Sequence, residues 1–204
     1  MASSYGEDAS KDALRSGYQA LQVRMSPSHR ARVDRDVLLH ARVLKAIRTA
    51  SVLLAYYPCR EEIDDLPLVR EALAAGRKVA LPRRVAGDAS YEFRLVTSLK
   101  GLLPGALGAW EPDPGTCPLV GPDLMDASVC LVPGLVFDAW GFRIGYGASY
   151  YDNFLKGYRG LRVGLVRALQ VSGNPLPVDD HDEPVDVLVS DASVWQCRKR
   201  GEQA

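Results

Sequence analysis

Short apolar runs that read as strands buried on both faces alternate along this chain with stretches of helical period. Ser51–Tyr57 (SVLLAYY) and Ser128–Val132 (SVCLV) are continuously apolar, so each needs cover above and below. Lys78–Leu81, Arg162–Val166, Val185–Val189 and Val194–Cys197 are further strand candidates, and Tyr91–Val96 alternates well enough for another. Leu14, Tyr18, Leu21 and Met25 fall at helical spacing behind Ser10 as an N-cap. After Ser26-Pro27, a second helix carries Val33, Val37, Ala41, Leu44 and Ile47 as one stripe. Pro67–Ala75 reads as a third helix, with Gly76 just past its end, and Tyr150–Lys156 begins a fourth. This order predicts an α/β layered fold, a largely parallel sheet flanked by helices on both faces. Gly101–Gly121 is rich in Gly and Pro and reads as a long loop or small subdomain. A single domain over 1–204 is expected, with 1–10 flexible.

Charge narrows the partners. Lys plus Arg and Asp plus Glu both total 25, so nothing in the charge balance points to nucleic acid or an anionic membrane. The first ten residues lack the cationic start and apolar core of a signal peptide. The longest apolar run, Val129–Phe137, contains Pro133 and Gly134 and is too short to span a bilayer. Cys59, Cys117, Cys130 and Cys197 form no C-x-x-C pair, and His29, His40 and His181 complete no zinc spacing. Scattered thiols of this kind suit a reducing cytosol, so a cytoplasmic protein is the expectation; a monomer is expected as well.

The chemistry concentrates between Leu131 and Leu155. Gly134, Gly141, Gly145 and Gly147 lie within fourteen residues there, beside Arg143 and Asp152. Gly145 and Gly147 permit positive φ and close approach to a phosphate, and Arg143 offers a two-donor fork for its oxygens. The run is neither a P-loop nor a dinucleotide fingerprint, and the glycine pattern alone fits an ordinary turn equally well. Asp152 reads either as a first-turn helix charge or as a Mg²⁺ ligand, with Asp182 as an available second carboxylate. Lys11 and Arg15 are one helical turn apart and share a face, which suits phosphates or plain solvent. Glu62, just past a buried strand, can accept hydrogen bonds from a heterocycle or serve as a turn acid. Tyr56, Tyr57, Trp110, Tyr146, Tyr150 and Tyr151 can wall a flat ligand or simply fill core. No Ser/His/Asp set and no supported catalytic cysteine is evident, so positioning and charge neutralisation are the expected means of catalysis.

Lys11-Asp12-Ala13-Leu14-Arg15 resembles the N-terminal K-x-x-L-R of the 5-formyltetrahydrofolate cyclo-ligase family. Pro133–Asp138 followed by Gly141–Gly147 resembles that family's P-G-x-x-F-D-x-x-G-x-R-[LI]-G-x-G signature, continued by Tyr150-Tyr151-Asp152. Arg60–Asp64 and His181–Asp186 resemble its E-I turn and its C-terminal acidic motif. The matches keep the family's order from residue 11 to about 190. The resemblance implies a fold like that of the sugar-isomerase and CoA-transferase group. It also implies ATP- and Mg²⁺-dependent conversion of 5-formyltetrahydrofolate to 5,10-methenyltetrahydrofolate. ATP would then be bound by Lys11, Arg15, Arg143, Ile144, Gly145, Tyr146, Gly147, Ala148, Ser149, Tyr150 and Tyr151. Tyr57, Glu62, Tyr146, Gly147, Ala148, Ser149 and Tyr150 would face the folate, and Asp152 and Asp182 would hold Mg²⁺.

One stretch departs from the family pattern. Members usually carry glycine immediately before the two tyrosines, where this chain has Ala148-Ser149, and often a basic residue where it has Asn153. A positive φ at Ser149 would cost roughly 1 kcal/mol relative to glycine. An active cyclo-ligase and a non-catalytic nucleotide- or folate-binding paralogue of the same fold are therefore both open. A sugar-phosphate or acyl-CoA enzyme is a third reading, carried by fold analogy alone.

Overall fold

The computed structural model describes residues 10–105 and 108–198. The segment expected to be flexible, 1–10, lies outside these residues apart from Ser10. Ser10 caps helix α1 (Lys11–Val23), its Oγ accepting from the Ala13 N–H at 3.2 Å. Ser26 caps α2 (Pro27–Val43) in the same way, accepting from the His29 N–H at 3.3 Å with Pro27 in the first turn. The stripe expected to run on to Ile47 is broken at Leu44, whose backbone is extended (φ −66°, ψ 113°), and α3 (Lys45–Thr49) restarts after it. No Pro or Gly marks that break, and nothing in the local sequence explains it.

Strand β1 (Val52–Leu54) is shorter than the apolar run that announced it. Ala55 still donates to the Ala80 carbonyl, but the Tyr56 N–H turns to Asp65 Oδ2, and the ladder ends there. Then follow α4 (Leu66–Ala74), β2 (Lys78–Arg84) and β3 (Tyr91–Val96). The stretch read as a long loop holds a small hairpin, β4 (Leu103–Pro104) with β5 (Trp110–Glu111), and a short helix α5 (Pro122–Asp126) follows directly after it. β6 (Ser128–Val132) is buried throughout. The glycine-rich segment after it contains a second hairpin, β7 (Val136–Phe137) with β8 (Arg143–Ile144), before α6 (Tyr150–Leu155). β9 (Leu161–Leu165), β10 (Val187–Val189) and β11 (Val194–Gln196) complete the order.

Seven strands form one sheet in the order β11-β10-β9-β6-β1-β2-β3. The five central strands are parallel; β3 and β11 add antiparallel edges. Side chains of one strand point alternately to opposite faces. Leu53, Val79, Leu81, Leu131, Val163 and Leu165 therefore meet α2, α3 and α4 on one face. Leu54, Ala80, Cys130, Val132 and Leu188 meet Phe137, Leu155 and Tyr158 on the other. From β1 the chain crosses through α4 to β2 on one side; from β6 it crosses through α6 to β9 on the other. The chain thus reverses its winding direction between the neighbouring strands β1 and β6, and segments leaving them part to open a crevice. No helix of the described residues is long and apolar enough to cross a membrane.

Candidate active site

A cleft of about 290 Å³ opens at that switch point. Its walls come from the turn after β1, the end of β2, Pro133 and Gly134 after β6, and the segment Arg143–Asp152. α1, β5 and the β9–β10 connection close it. Every site residue named from the sequence lines it: Lys11, Arg15, Tyr57, Glu62, Arg143 to Asp152 without a break, and Asp182. The aromatics Tyr56 and Trp110 line it as well.

α1 reaches the cleft because its apolar side is fixed elsewhere. Leu14 and Tyr18 bury against Val136, Ile144 and Leu176, which turns Lys11 and Arg15 inward. Arg15 Nε donates to the Gly145 carbonyl at 2.9 Å. Lys11 Nζ donates to Asp179 Oδ2 at 2.6 Å and to Asp182 Oδ2. Burial works to lower the Lys11 pKa, but the hydrogen bonds and charges of Asp179 and Asp182 outweigh it and hold the ammonium above its ordinary value. One ligand atom from each of Asp179, His181 and Asp182 lies within 4.8 Å of the others.

The loop between Arg143 and Tyr151 keeps the expected backbone at Gly147 and departs from it at Gly145 and Ser149. Gly147 takes the left-handed conformation (φ +100°) with Arg15 beside it: a Cβ there would sit 3.6 Å from the guanidinium carbon. Gly145 does not take it; its carbonyl is held by Arg15 in ordinary backbone geometry. Ser149, not glycine, is the second left-handed residue, at φ 49° and ψ 11°. This backbone suits glycine, so the loop keeps the geometry that Ser149 put in question and stores about 1 kcal/mol of strain to do so. The Ser149 side chain makes no capping bond to α6 among the described residues. Asn153 points away and donates from Nδ2 to the Ala89 carbonyl at 2.6 Å.

Arg143 is buried, at 8% exposure. Its donors are committed within the protein rather than presented as an open fork: one to the Glu183 carbonyl at 2.7 Å, another paired with Asp152 Oδ1 at 3.0 Å. Asp152 also accepts from the Glu183 N–H at 3.2 Å, which ties the first turn of α6 to the residue after Asp182. The two carboxylates expected to act together are thus brought to one wall.

Beside these groups the cleft has an aromatic lining that is partly unforeseen. Tyr91 stacks on Tyr150 with ring centroids 5.0 Å apart and meets Tyr151 edge-on at 5.2 Å. Arg84, the cross-strand partner of Tyr91, lies 5.9 Å over the Tyr150 ring. Neither residue stood out in the sequence. The signal was that Arg84 closes a buried strand on the side where ligands gather, but strand pairing was needed to bring Tyr91 beside it. Glu62 closes its own turn, Oε2 accepting from the Cys59 N–H at 2.9 Å. Burial pushes the Glu62 carboxyl up, against the pull of Cys59 and Arg60. Burial and then the Glu62 charge push the Cys59 thiol up to about 12, which leaves it a poor nucleophile.

The family description of 5-formyltetrahydrofolate cyclo-ligases matches residues 7–191. The probable 5-formyltetrahydrofolate cyclo-ligase of Schizosaccharomyces pombe is 25% identical over 159 residues, covering 72% of this chain and 78% of its own. The Saccharomyces cerevisiae cyclo-ligase is 32% identical over 152 residues, covering 63% and 69%. Among solved structures, the 5,10-methenyltetrahydrofolate synthetase of Aquifex aeolicus superimposes with a TM-score of 0.78 at 31% identity, covering 95% of this chain and 96% of its own. The synthetase of Mycoplasma pneumoniae shares the fold at a TM-score of 0.69 and 17% identity, covering 90% and 99%.

Proposed function

The chain belongs to the 5-formyltetrahydrofolate cyclo-ligase family, and from that premise we propose that the cleft is where its two substrates meet. The activity is that of a 5,10-methenyltetrahydrofolate synthetase, an ATP-dependent ligase that closes the C–N bond of the methenyl bridge. The observation that carries the site assignment is the continuity of the cleft. A cationic end at Lys11 and Arg15 and an aromatic end with Glu62 share the single segment Arg143–Asp152.

A formamide oxygen is a weak nucleophile and a poor leaving group, so it is activated before the ring closes. In our reading the formyl oxygen attacks the γ-phosphorus of ATP and ADP departs, leaving a phosphorylated iminium. N10 then attacks the formyl carbon and gives up its proton, and the C–O bond breaks with release of phosphate. No protein nucleophile is required. The protein aligns oxygen with phosphorus and spreads the developing charge over cations and backbone donors. Lys11 and Arg15 take the phosphate side. Tyr57, Glu62 and the rings around Tyr150 hold the folate, with Glu62 accepting from the N–H edge of the pterin.

Mg²⁺ fits the donors at the phosphate end, because Asp152 and Asp182 offer hard carboxylate oxygens on one wall. They would hold the ion there, and it would neutralise phosphate charge. Arg143 then acts mainly by holding Asp152 in place. We also infer a reducing compartment, since all four cysteines are free thiols.

Trp110 lines the cleft at 42% exposure and reports occupancy. Titration with 5-formyltetrahydrofolate should change its fluorescence, and Trp110→Phe should remove that change while the fold is retained. A signal that survives Trp110→Phe unaltered would place the folate elsewhere.

A further inference from the structure

Behind the folate side of the cleft lies a charged residue with no exposure at all. Arg167, just after β9, is fully buried, and its guanidinium makes contacts in three directions. Nε and one terminal nitrogen grip both oxygens of Asp34 on α2, at 2.7 and 2.9 Å. The other terminal nitrogen donates to the Glu61 carbonyl at 2.9 Å and to Gln170 Oε1 at 3.2 Å. Gln170 in turn donates to the Leu135 carbonyl at 2.8 Å. One side chain thereby links α2 to the turn after β1 and, through Gln170, to the segment after β6. These are the two segments whose divergence opens the crevice.

We propose that Arg167 is a positioning residue for the folate side of the site: it sets Glu62 by holding the backbone of Glu61. The turn needs an outside hold. Arg60 sits at φ +53°, a left-handed backbone that favours glycine and that an arginine keeps only where its surroundings impose it. α2 supplies two grips one helical turn apart, the Arg30–Glu61 ion pair and the Asp34–Arg167–Glu61 chain. The space enclosed by Glu62, Gly134, Arg167 and Gln170 has no room for a water molecule. With no water between them, Arg167 itself is the donor to the Glu61 carbonyl, and a side chain at 167 without a guanidinium gives up that direct hold on the turn. A fork is required because Asp34 and Glu61 are engaged at once, which an ammonium at the end of a lysine cannot reproduce.

The inference rests on the assignment of Glu62 to the folate, and the experiment separates the two. Steady-state KM values for 5-formyltetrahydrofolate and for ATP are measured in the full chain for Arg167→Lys, Asp34→Asn and Glu62→Gln. Arg167→Lys and Asp34→Asn should raise the folate KM by about tenfold while the ATP KM stays within about twofold, because misplacement of a binding group acts on the ligand it touches. The double variant Arg167→Met with Asp34→Leu leaves no unpaired charge and should be more stable to heat than Asp34→Asn, without restoring the folate KM. A folded Arg167→Lys with an unchanged folate KM overturns the proposal, as does a rise in both KM values together. Recovery of the folate KM in the double variant along with stability overturns it too. Should Arg167→Lys fail to fold, Asp34→Asn and the double variant give the same ratio. If Glu62→Gln itself leaves the folate KM unchanged, the site assignment is wrong and the positioning role falls with it. If Glu62→Gln raises that KM but the Arg167 and Asp34 variants do not, only the positioning role is wrong.

Discussion

Lys11 Nζ in the first turn of α1 donates to Asp182 Oδ2 in the β9–β10 connection, joining residues 171 positions apart. The pair lies at the cationic end of the cleft, where the proposed nucleotide would bring charges that compete with it. Lys11→Ala should raise the ATP KM by roughly tenfold to a hundredfold, the worth of one hydrogen bond to a charged group. Stability should fall by no more than about 1 kcal/mol, since the pair is partly open to solvent. Steady-state kinetics beside a urea titration measures both; an unchanged ATP KM would remove Lys11 from the site.

The Arg143–Asp152 pair behaves differently because it is buried, with side-chain exposures of 4% and 16%. Asp152→Ala leaves the Arg143 cation inside the protein with a backbone carbonyl as partner and should cost about 3 kcal/mol or more of stability. Asp152→Asn keeps an acceptor for the Glu183 N–H and is the cleaner variant. It should remain folded at 25 °C and lose at least about a hundredfold in kcat, the scale of one removed electrostatic contact to the transition state. Full activity in Asp152→Asn would assign the residue a purely structural role.

Ser149 holds a left-handed backbone that glycine adopts without strain. Ser149→Gly should stabilise the protein by about 0.5–1 kcal/mol, seen as a rise in Tm of roughly 1–4 °C for a chain of this size. Turnover should be equal or faster. Ser149→Val adds a β-branch at the same φ and should lower both Tm and kcat. A Tm that falls on Ser149→Gly would mean that the hydroxyl, and not the backbone, matters at this position.

Burial raises the Glu62 carboxyl above its unfolded value near 4.5. Between that value and the raised one the folded state binds more protons than the unfolded state, so stability falls as pH rises through this window. Glu62→Gln removes the titration and retains an acceptor for the Cys59 N–H. Its Tm should match the parent's at pH 4 and exceed it at pH 8, while binding of the folate weakens. Parallel Tm profiles for the two proteins across that range would contradict the assignment of the shift to Glu62.

The layered fold was readable because continuous apolar runs such as SVCLV have no stable alternative to a doubly covered strand. The lining of the cleft was readable where it is local. Lys11 and Arg15 share a helix face by spacing alone, and the Arg143–Asp152 segment is contiguous. What sequence could not carry was pairing at a distance. Tyr91 enters the cleft only because β3 returns antiparallel beside β2, and Arg143 loses its open fork to Glu183 and Asp152, 40 and 9 positions away. Ser149 was legible as a departure but not in its outcome, since the surrounding loop and not the residue's own preference sets its φ. The break at Leu44 has no local signature at all.

The most direct measurement mixes the purified chain with ATP, Mg²⁺ and 5-formyltetrahydrofolate and follows the near-ultraviolet absorbance of the methenyl product together with ADP. The cleft described above requires one methenyltetrahydrofolate formed for each ADP released, and none when ATP is omitted. Absence of the methenyl product at saturating concentrations of both substrates, or product formed without ADP, would contradict it.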